Sequence, residues 1–173
     1  PVLRAVSDGG AKGVLAFGTD VDFYKPNLHI KKDIEYFYPA TFSPWKKQSD
    51  ISYLRDKLLC VGTVQPDGQE ELDHCQWQGV KTEIGYFPAE KIRDYYQRTQ
   101  KMIIPAAHGS ERTILEAMAC DILPEVTNPN NVRAKSYIRE YHLSSCKSPR
   151  QFILRNYSYQ RYAKTILEGL FPP

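Results

Sequence analysis

The sequence predicts a Rossmann-like, three-layer α/β/α domain built on a mostly parallel sheet, and two observations predict it. Short apolar or aromatic runs recur along the chain, and amphipathic segments of helix length separate them. Such alternation makes βα units, whose right-handed crossovers lay helices on both faces of the sheet. The 173 residues suffice for one ordinary domain. A chain of that size buries roughly 70% of its unfolded surface, so it needs neither a disulfide nor a metal as a staple.

Each element has its own signal. Residues 1–13 end in a run of small residues, Ser7 to Gly13, that reads as a connector from a preceding domain, with the folded domain over 14–173. Residues 35–38 are aromatic-rich and stop at Pro39, which suits a strand. Residues 49–58 open on Ser49 as an N-cap candidate and set Ile51, Leu54 and Leu58 along one helical face. The run 59–62 is continuously apolar until Gly62, as in a strand buried on both sides. Pro66-Asp67-Gly68 is a turn, 70–77 a short helix, and 80–87 an alternating strand. Pro88 suits the first turn of a helix over 88–97, and 101–106 is the next strand. A helix over 110–120 turns Ile114, Leu115, Met118 and Ala119 inward. A short strand at 125–127 and helices at 131–141, 148–155 and 158–170 complete the pattern.

Composition excludes several classes. Lys and Arg number 23 against 20 Asp and Glu, a dispersed net +3 that offers nucleic acid no basic stripe. The longest apolar run, 102–107, is broken by Pro105 and falls far short of the roughly 20 residues that span a bilayer. Arg4, Asp8 and Lys12 interrupt any signal-peptide core. Cys60, Cys75, Cys120 and Cys146 form no C-x-x-C pair. Cys60 and Cys120 lie in apolar runs and read as small buried hydrophobes, in keeping with free thiols in a reducing compartment. His74 and Cys75 have no second ligand pair nearby, so no metal site is expected.

In parallel α/β sheets, ligands bind beyond the carboxyl ends of the strands, in loops that lead into helices. Two loops qualify. One is Thr41-Phe42-Ser43-Pro44-Trp45-Lys46-Lys47; the other is Ala107-His108-Gly109-Ser110-Glu111, which opens the helix bearing Glu116. Free N–H groups at Gly109 and Ser110 suit an anion. Trp45, Tyr36 and Tyr38 are either stacking surfaces for a base or core aromatics.

His108-Gly109, five further residues and then Leu115-Glu116-Ala117-Met118-Ala119-Cys120 resemble the donor-site motif of retaining glycosyltransferases of family 4. These are nucleotide-sugar-dependent enzymes of the two-domain GT-B architecture. Gly18-Thr19-Asp20-Val21-Asp22-Phe23-Tyr24-Lys25-Pro26 resembles the segment that opens their C-terminal domain. Phe42-Ser43-Pro44-Trp45-Lys46 resembles their phosphate-binding loop, and Tyr86 through Met102 to Pro105 follows the strand–helix–strand before the motif. The matches run in order over roughly 14–170.

The resemblance implies the donor half of a hexosyltransferase that uses a UDP- or GDP-sugar as substrate, with no cofactor and no metal. Glu116 would accept the ribose hydroxyls, a task that suits a carboxylate's two oxygens; otherwise it is a helix glutamate paired with Arg112. Lys46 or Lys47 would neutralise the diphosphate, or both are surface lysines. His108 would face the donor sugar, or is a loop histidine. Gly109, Ser110, Glu111, Arg112 and Thr113 would supply N–H donors and polar contacts, and Tyr86, Phe87 and Ile92 would flank the base. Three positions depart from the family pattern: His108 replaces a glutamate, Thr41 an arginine and Asp121 a helix-capping glycine. Arg112 is a candidate for the missing cation. Tyr157, Tyr159 and Tyr162 would pack the last helix onto the sheet.

The implied partner is an acceptor-binding N-terminal domain of the same protein, in the cytoplasm, with any peripheral membrane contact made by that other half. The domain alone would bind donor without transferring sugar. A second reading is a binding or scaffold module that kept the fold and lost catalysis. A nucleotide-sugar epimerase shares the architecture but not the Leu115–Cys120 motif.

Overall fold

Five strands, every neighbouring pair parallel, form one sheet in the order β3-β2-β1-β4-β5. The computed structural model describes residues 18–170, and the expected connector at 1–13 lies outside them. The strands are β1 (Ile34–Pro39), β2 (Leu58–Gly62), β3 (Lys81–Ile84), β4 (Thr99–Ile104) and β5 (Glu125–Val126). The α-helices are α1 (Gln69–Trp77), α2 (Ala89–Arg98), α3 (Glu111–Ala119), α4 (Val132–Leu143), α5 (Pro149–Asn156) and α6 (Tyr159–Leu170). From β1 the chain steps outward to β2 and β3, then returns past β1 to β4 and β5. Right-handed connections therefore place α1 on one face and α2 and α3 on the other.

β1 is the central strand and is covered on both faces. Phe37 pairs with Leu59 on one side and Met102 on the other, and Phe37 and Tyr38 are fully buried. Tyr95 and Tyr96 of α2 pack against Phe37, tilted and edge-to-face, with ring centroids 5.5 and 5.6 Å away. Cys60 and Cys120 are buried as expected, and desolvation raises the thiol pKa of each.

The expected helix at 49–58 is a 3-10 segment over Gln48–Lys57. Ser49 does not cap it. Its N–H and hydroxyl both donate to the Glu71 carboxylate of α1, at 2.8 and 3.0 Å. Lys47, in the left-handed region at φ 52°, starts the segment, and Arg55 breaks it at φ 53° and ψ −130°. Tertiary contacts thus override local helix propensity, and Leu58 joins β2 instead. β3 is shorter than 80–87 because Gly85, at φ 146°, turns the chain out of the ladder. β4 starts earlier than 101, since Thr99 pairs with Ile34. Gly62 has a steric reason. A Cβ there would lie 2.3 Å from the carbonyl oxygen of Ala40, where the ends of β1 and β2 close up.

Asp121 adopts the left-handed conformation that its position after α3 demands, at φ 64°. Asp121 N–H donates to Met118 O and Ile122 N–H to Ala117 O, both at 3.0 Å, which is a Schellman stop. Its carboxylate also accepts from the N–H of Arg150 in the first turn of α5, at 3.0 Å. The Arg150 guanidinium forks to the carbonyls of Tyr24, Ala119 and Val21 at 3.0, 2.7 and 3.0 Å, tying α5 to α3 and to the 19–24 segment.

The C-terminal tyrosines depart from expectation. Tyr157 packs on Tyr137 and Phe152, while Tyr159 and Tyr162 lie against Gly18. Thr19 bridges to Ser158, with Thr19 N–H donating to Tyr157 O and Tyr159 N–H to Thr19 O. Among the described residues, no helix is long and apolar enough to cross a membrane.

Candidate functional site

A reversal of strand order leaves a crevice at the carboxyl end of the sheet, because the loops after β1 and β4 lead to opposite faces. Both predicted loops meet there. Ala107 N–H donates to Trp45 O at 2.9 Å, and Lys46 Nζ donates to Ser110 Oγ at 3.5 Å. Tyr38, whose ring is core and not a stacking surface, donates its hydroxyl to Lys46 O at 3.2 Å and fixes that loop from below. Asn131, 2% exposed, caps α4 through Ala134 N–H and donates to the carbonyls of Ala106 and Gly109 at 3.0 and 3.2 Å. The second loop is therefore held from beneath as well.

A cleft of about 390 Å³ opens beside this junction, within the size range of small-molecule sites. Its floor is the ends of β1 and β2 (Ala40, Thr41, Gly62 and Thr63), and one wall is Tyr86, Phe87 and Ile92. Arg112, Thr113 and Glu116 of α3 form the opposite wall. Tyr86 is 92% exposed, so its ring is available at the rim. Phe87 is half-buried and edge-packed on Tyr95.

Glu116 is only 6% exposed, and its carboxylate organises the wall. Arg112 Nε donates to Oε1 at 2.7 Å, and the Tyr96 hydroxyl donates to Oε2 at 3.2 Å. Burial first, then the negative charge of Glu116, push the Tyr24 and Tyr96 phenols well above their ordinary pKa. Both stay neutral hydroxyls. The hydrogen bond to Glu116 likewise strengthens the hold of Arg112 on its proton.

At the head of α3, Gly109 and Ser110 are both left-handed, at φ 76° and 74°. For Ser110 this is an outlier of the kind that functional turns hold. A Cβ on Gly109 would come within 3.1 Å of Lys46 Nζ, so this glycine leaves the ammonium its place. Desolvation lowers the Lys46 pKa, partly offset by the charge of Glu111. Glu111 in turn pairs with Arg133 at 3.3 Å.

The structure separates the two lysines. Lys46 points to the α3 turn, whereas Lys47 pairs with Asp50 at 3.7 Å beside its own segment. His108 is exposed, with its ring 6.1 Å from that of Trp45, outside the cleft lining. Thr41 does line the cleft, and its hydroxyl meets Thr63 at 3.2 Å. Sequence reading missed Tyr24 and Tyr96 as site residues. Tyr96 stands four residues after Ile92, so the helical spacing that favours Ile92 also points to it. Nothing local marks Tyr24, which reaches Glu116 only through the tertiary fold.

No family model and no curated protein matches the sequence. Solved structures do share the fold. The C-terminal domain of a glycosyl transferase group 1 family protein (LpcC) from Francisella tularensis aligns with a TM-score of 0.56 at 12% identity, covering 82% of this chain and 99% of that domain. AviGT4, a glycosyltransferase involved in avilamycin A biosynthesis, aligns at 0.59 and 13% identity over 92% of this chain and 59% of its own. TarM aligns at 0.61 and 10% identity over 98% of this chain and 42% of its own. The chain thus spans only about half the length of the latter two. It has the Rossmann-like α/β fold of GT-B glycosyltransferase domains.

Proposed function

We propose that the cleft binds the nucleotide portion of a nucleotide-sugar donor, and that the domain is the donor half of a retaining hexosyltransferase. The observation that carries this reading is the near-buried Glu116 carboxylate facing the cleft one and a half turns beyond the strained Gly109–Ser110 turn, where Lys46 sits. A carboxylate pairs naturally with the vicinal hydroxyls of a ribose. Backbone N–H groups at the start of α3 and the Lys46 ammonium suit the phosphates beyond it. The floor of Ala40 and Gly62 and the wall of Tyr86, Phe87 and Ile92 suit a flat base.

In this reading the leaving diphosphate gains charge in the transition state, and Lys46 with the α3 N-terminus stabilises that charge. His108, beside them, faces the sugar. The hexose passes from a UDP- or GDP-donor to an acceptor hydroxyl held by an N-terminal domain of the same cytoplasmic protein. The domain alone binds donor without transferring sugar.

A thermal-shift screen against UDP, GDP, ADP and their sugars tests it. Ligand at about one hundred times Kd adds roughly 2.7 kcal/mol, several degrees in Tm at this size. One nucleotide should give that shift and Glu116→Ala should abolish it. The absence of any shift would reject the reading. His108 and Thr41 favour a second reading, a donor-binding module that has lost transfer; it predicts the same shift but no sugar transfer by the whole protein.

A further inference from the structure

Both oxygens of Glu116 are engaged, Oε1 by Arg112 and Oε2 by Tyr96, with the Tyr24 hydroxyl also interacting with the carboxylate, and of these partners Arg112 is the one not built to stay. The Tyr96 hydroxyl is buried and has a second acceptor in Thr113 O at 3.4 Å. The side chain of Arg112 is 80% exposed, against 8% for that of Glu116, and its ion pair runs along a single helix face. Among the described residues lining the cleft, Arg112 is the one cation and Glu116 the one anion. Arg112 stands one turn nearer than Glu116 to the Gly109–Ser110 turn, about 6 Å along the helix axis. Lys46 is at that turn. A ligand with its sugar hydroxyls on Glu116 and its phosphates at Lys46 therefore passes Arg112 on the way.

We infer that Arg112 is a transferable cation, resting on Glu116 when the cleft is empty and moving to the ligand's phosphates when ribose hydroxyls take its place on the carboxylate. The inference rests on the donor-binding reading above. It assigns the cleft a selectivity device. A nucleoside must displace Arg112 and offers it nothing in return, while a nucleoside diphosphate supplies a new, bidentate partner for the guanidinium. It also gives the site a second cation beside Lys46, in a cleft where position 41 is a neutral threonine.

Titration calorimetry with UDP, GDP and ADP and with uridine, guanosine and adenosine tests this on the wild-type protein, Arg112→Met and Arg112→Lys. Methionine keeps the stem and removes the charge. The affinity of the preferred diphosphate should fall at least about tenfold in Arg112→Met, as expected for loss of a charge-assisted contact. The matching nucleoside should bind at least as tightly as to wild type, and Arg112→Lys should recover part of the diphosphate affinity. Equal losses for nucleoside and diphosphate would make Arg112 a structural partner of Glu116 and overturn the inference. An unchanged diphosphate affinity would overturn it too. Binding of none of the six compounds by wild type would instead remove the donor-binding reading, and this inference with it.

Discussion

Lys46 and Ser110 lie 64 residues apart in the chain, yet Lys46 Nζ reaches Ser110 Oγ at 3.5 Å. The contact joins the loops after β1 and β4, the two strands between which the strand order reverses. A positive side chain is thereby placed against a left-handed turn whose N–H groups begin a helix. Neither loop could make this arrangement alone.

Lys46 gives the site a pH signature. Desolvation lowers its pKa, so it loses its proton at a lower pH than an ordinary lysine. The charged form is the one that attracts phosphate, so diphosphate affinity should be level near neutrality and fall as pH rises into the alkaline range. That fall begins below the ordinary lysine pKa. Lys46→Arg should flatten the profile, as arginine keeps its charge. A wild-type affinity that stays constant through the ordinary lysine range would contradict the role.

His108 is exposed, and the ring beside it is that of Trp45. His108→Ala should leave stability within about 0.5 kcal/mol of wild type. On the proposed donor-half function, sugar transfer by the complete protein should drop at least about tenfold with nucleotide affinity retained, since a polar group at a reacting sugar acts in the transition state. Stopped or continuous transfer assays beside calorimetry would separate the two effects. Equal kcat in variant and wild type would leave His108 an ordinary surface residue.

Asn131 can be tested by isosteric replacement. Asn131→Ala removes a cap and two donors to loop carbonyls, costing roughly 2–3 kcal/mol in urea unfolding. Asn131→Asp keeps the cap but turns a carboxylate oxygen toward the carbonyls of Ala106 and Gly109. It should be no more stable than Asn131→Ala, whereas a simple capping role would leave it near wild type.

Arg150→Ala strips three carbonyls of their partner and should lower stability by about 2–4 kcal/mol. Arg150→Lys should restore less than half of that, because an ammonium cannot reproduce the fork. Full recovery in the lysine variant would show that charge, and not geometry, holds α5 to the 19–24 segment.

What was legible in the sequence follows a physical boundary. α3 and its inward residues could be read because apolar periodicity and helix position are local properties, whereas Glu116 was singled out only by the resemblance of Leu115–Cys120 to a donor-site motif. The loops at the sheet's carboxyl end followed from topology alone. The 3-10 segment could not be read, since Ser49 is drawn away from capping by Glu71 in another helix. The grouping of Tyr24, Tyr96 and Glu116 was equally hidden, because its members come from three separated parts of the chain and only the fold brings them together. Arg150 carries no sequence signal, since the three carbonyls it serves come together only in the fold.

Asp121 has a practical consequence for anyone stabilising this domain. Its left-handed backbone invites replacement by glycine, which would relieve a conformational cost at the end of α3 (roughly 1 kcal/mol for a residue as tolerant as aspartate). The same change would strip the first turn of α5 of its carboxylate acceptor, a loss of about the same size. Position 121 is therefore a false lead for engineering by consensus: two helices share one side chain, and what one gains from its replacement the other forfeits.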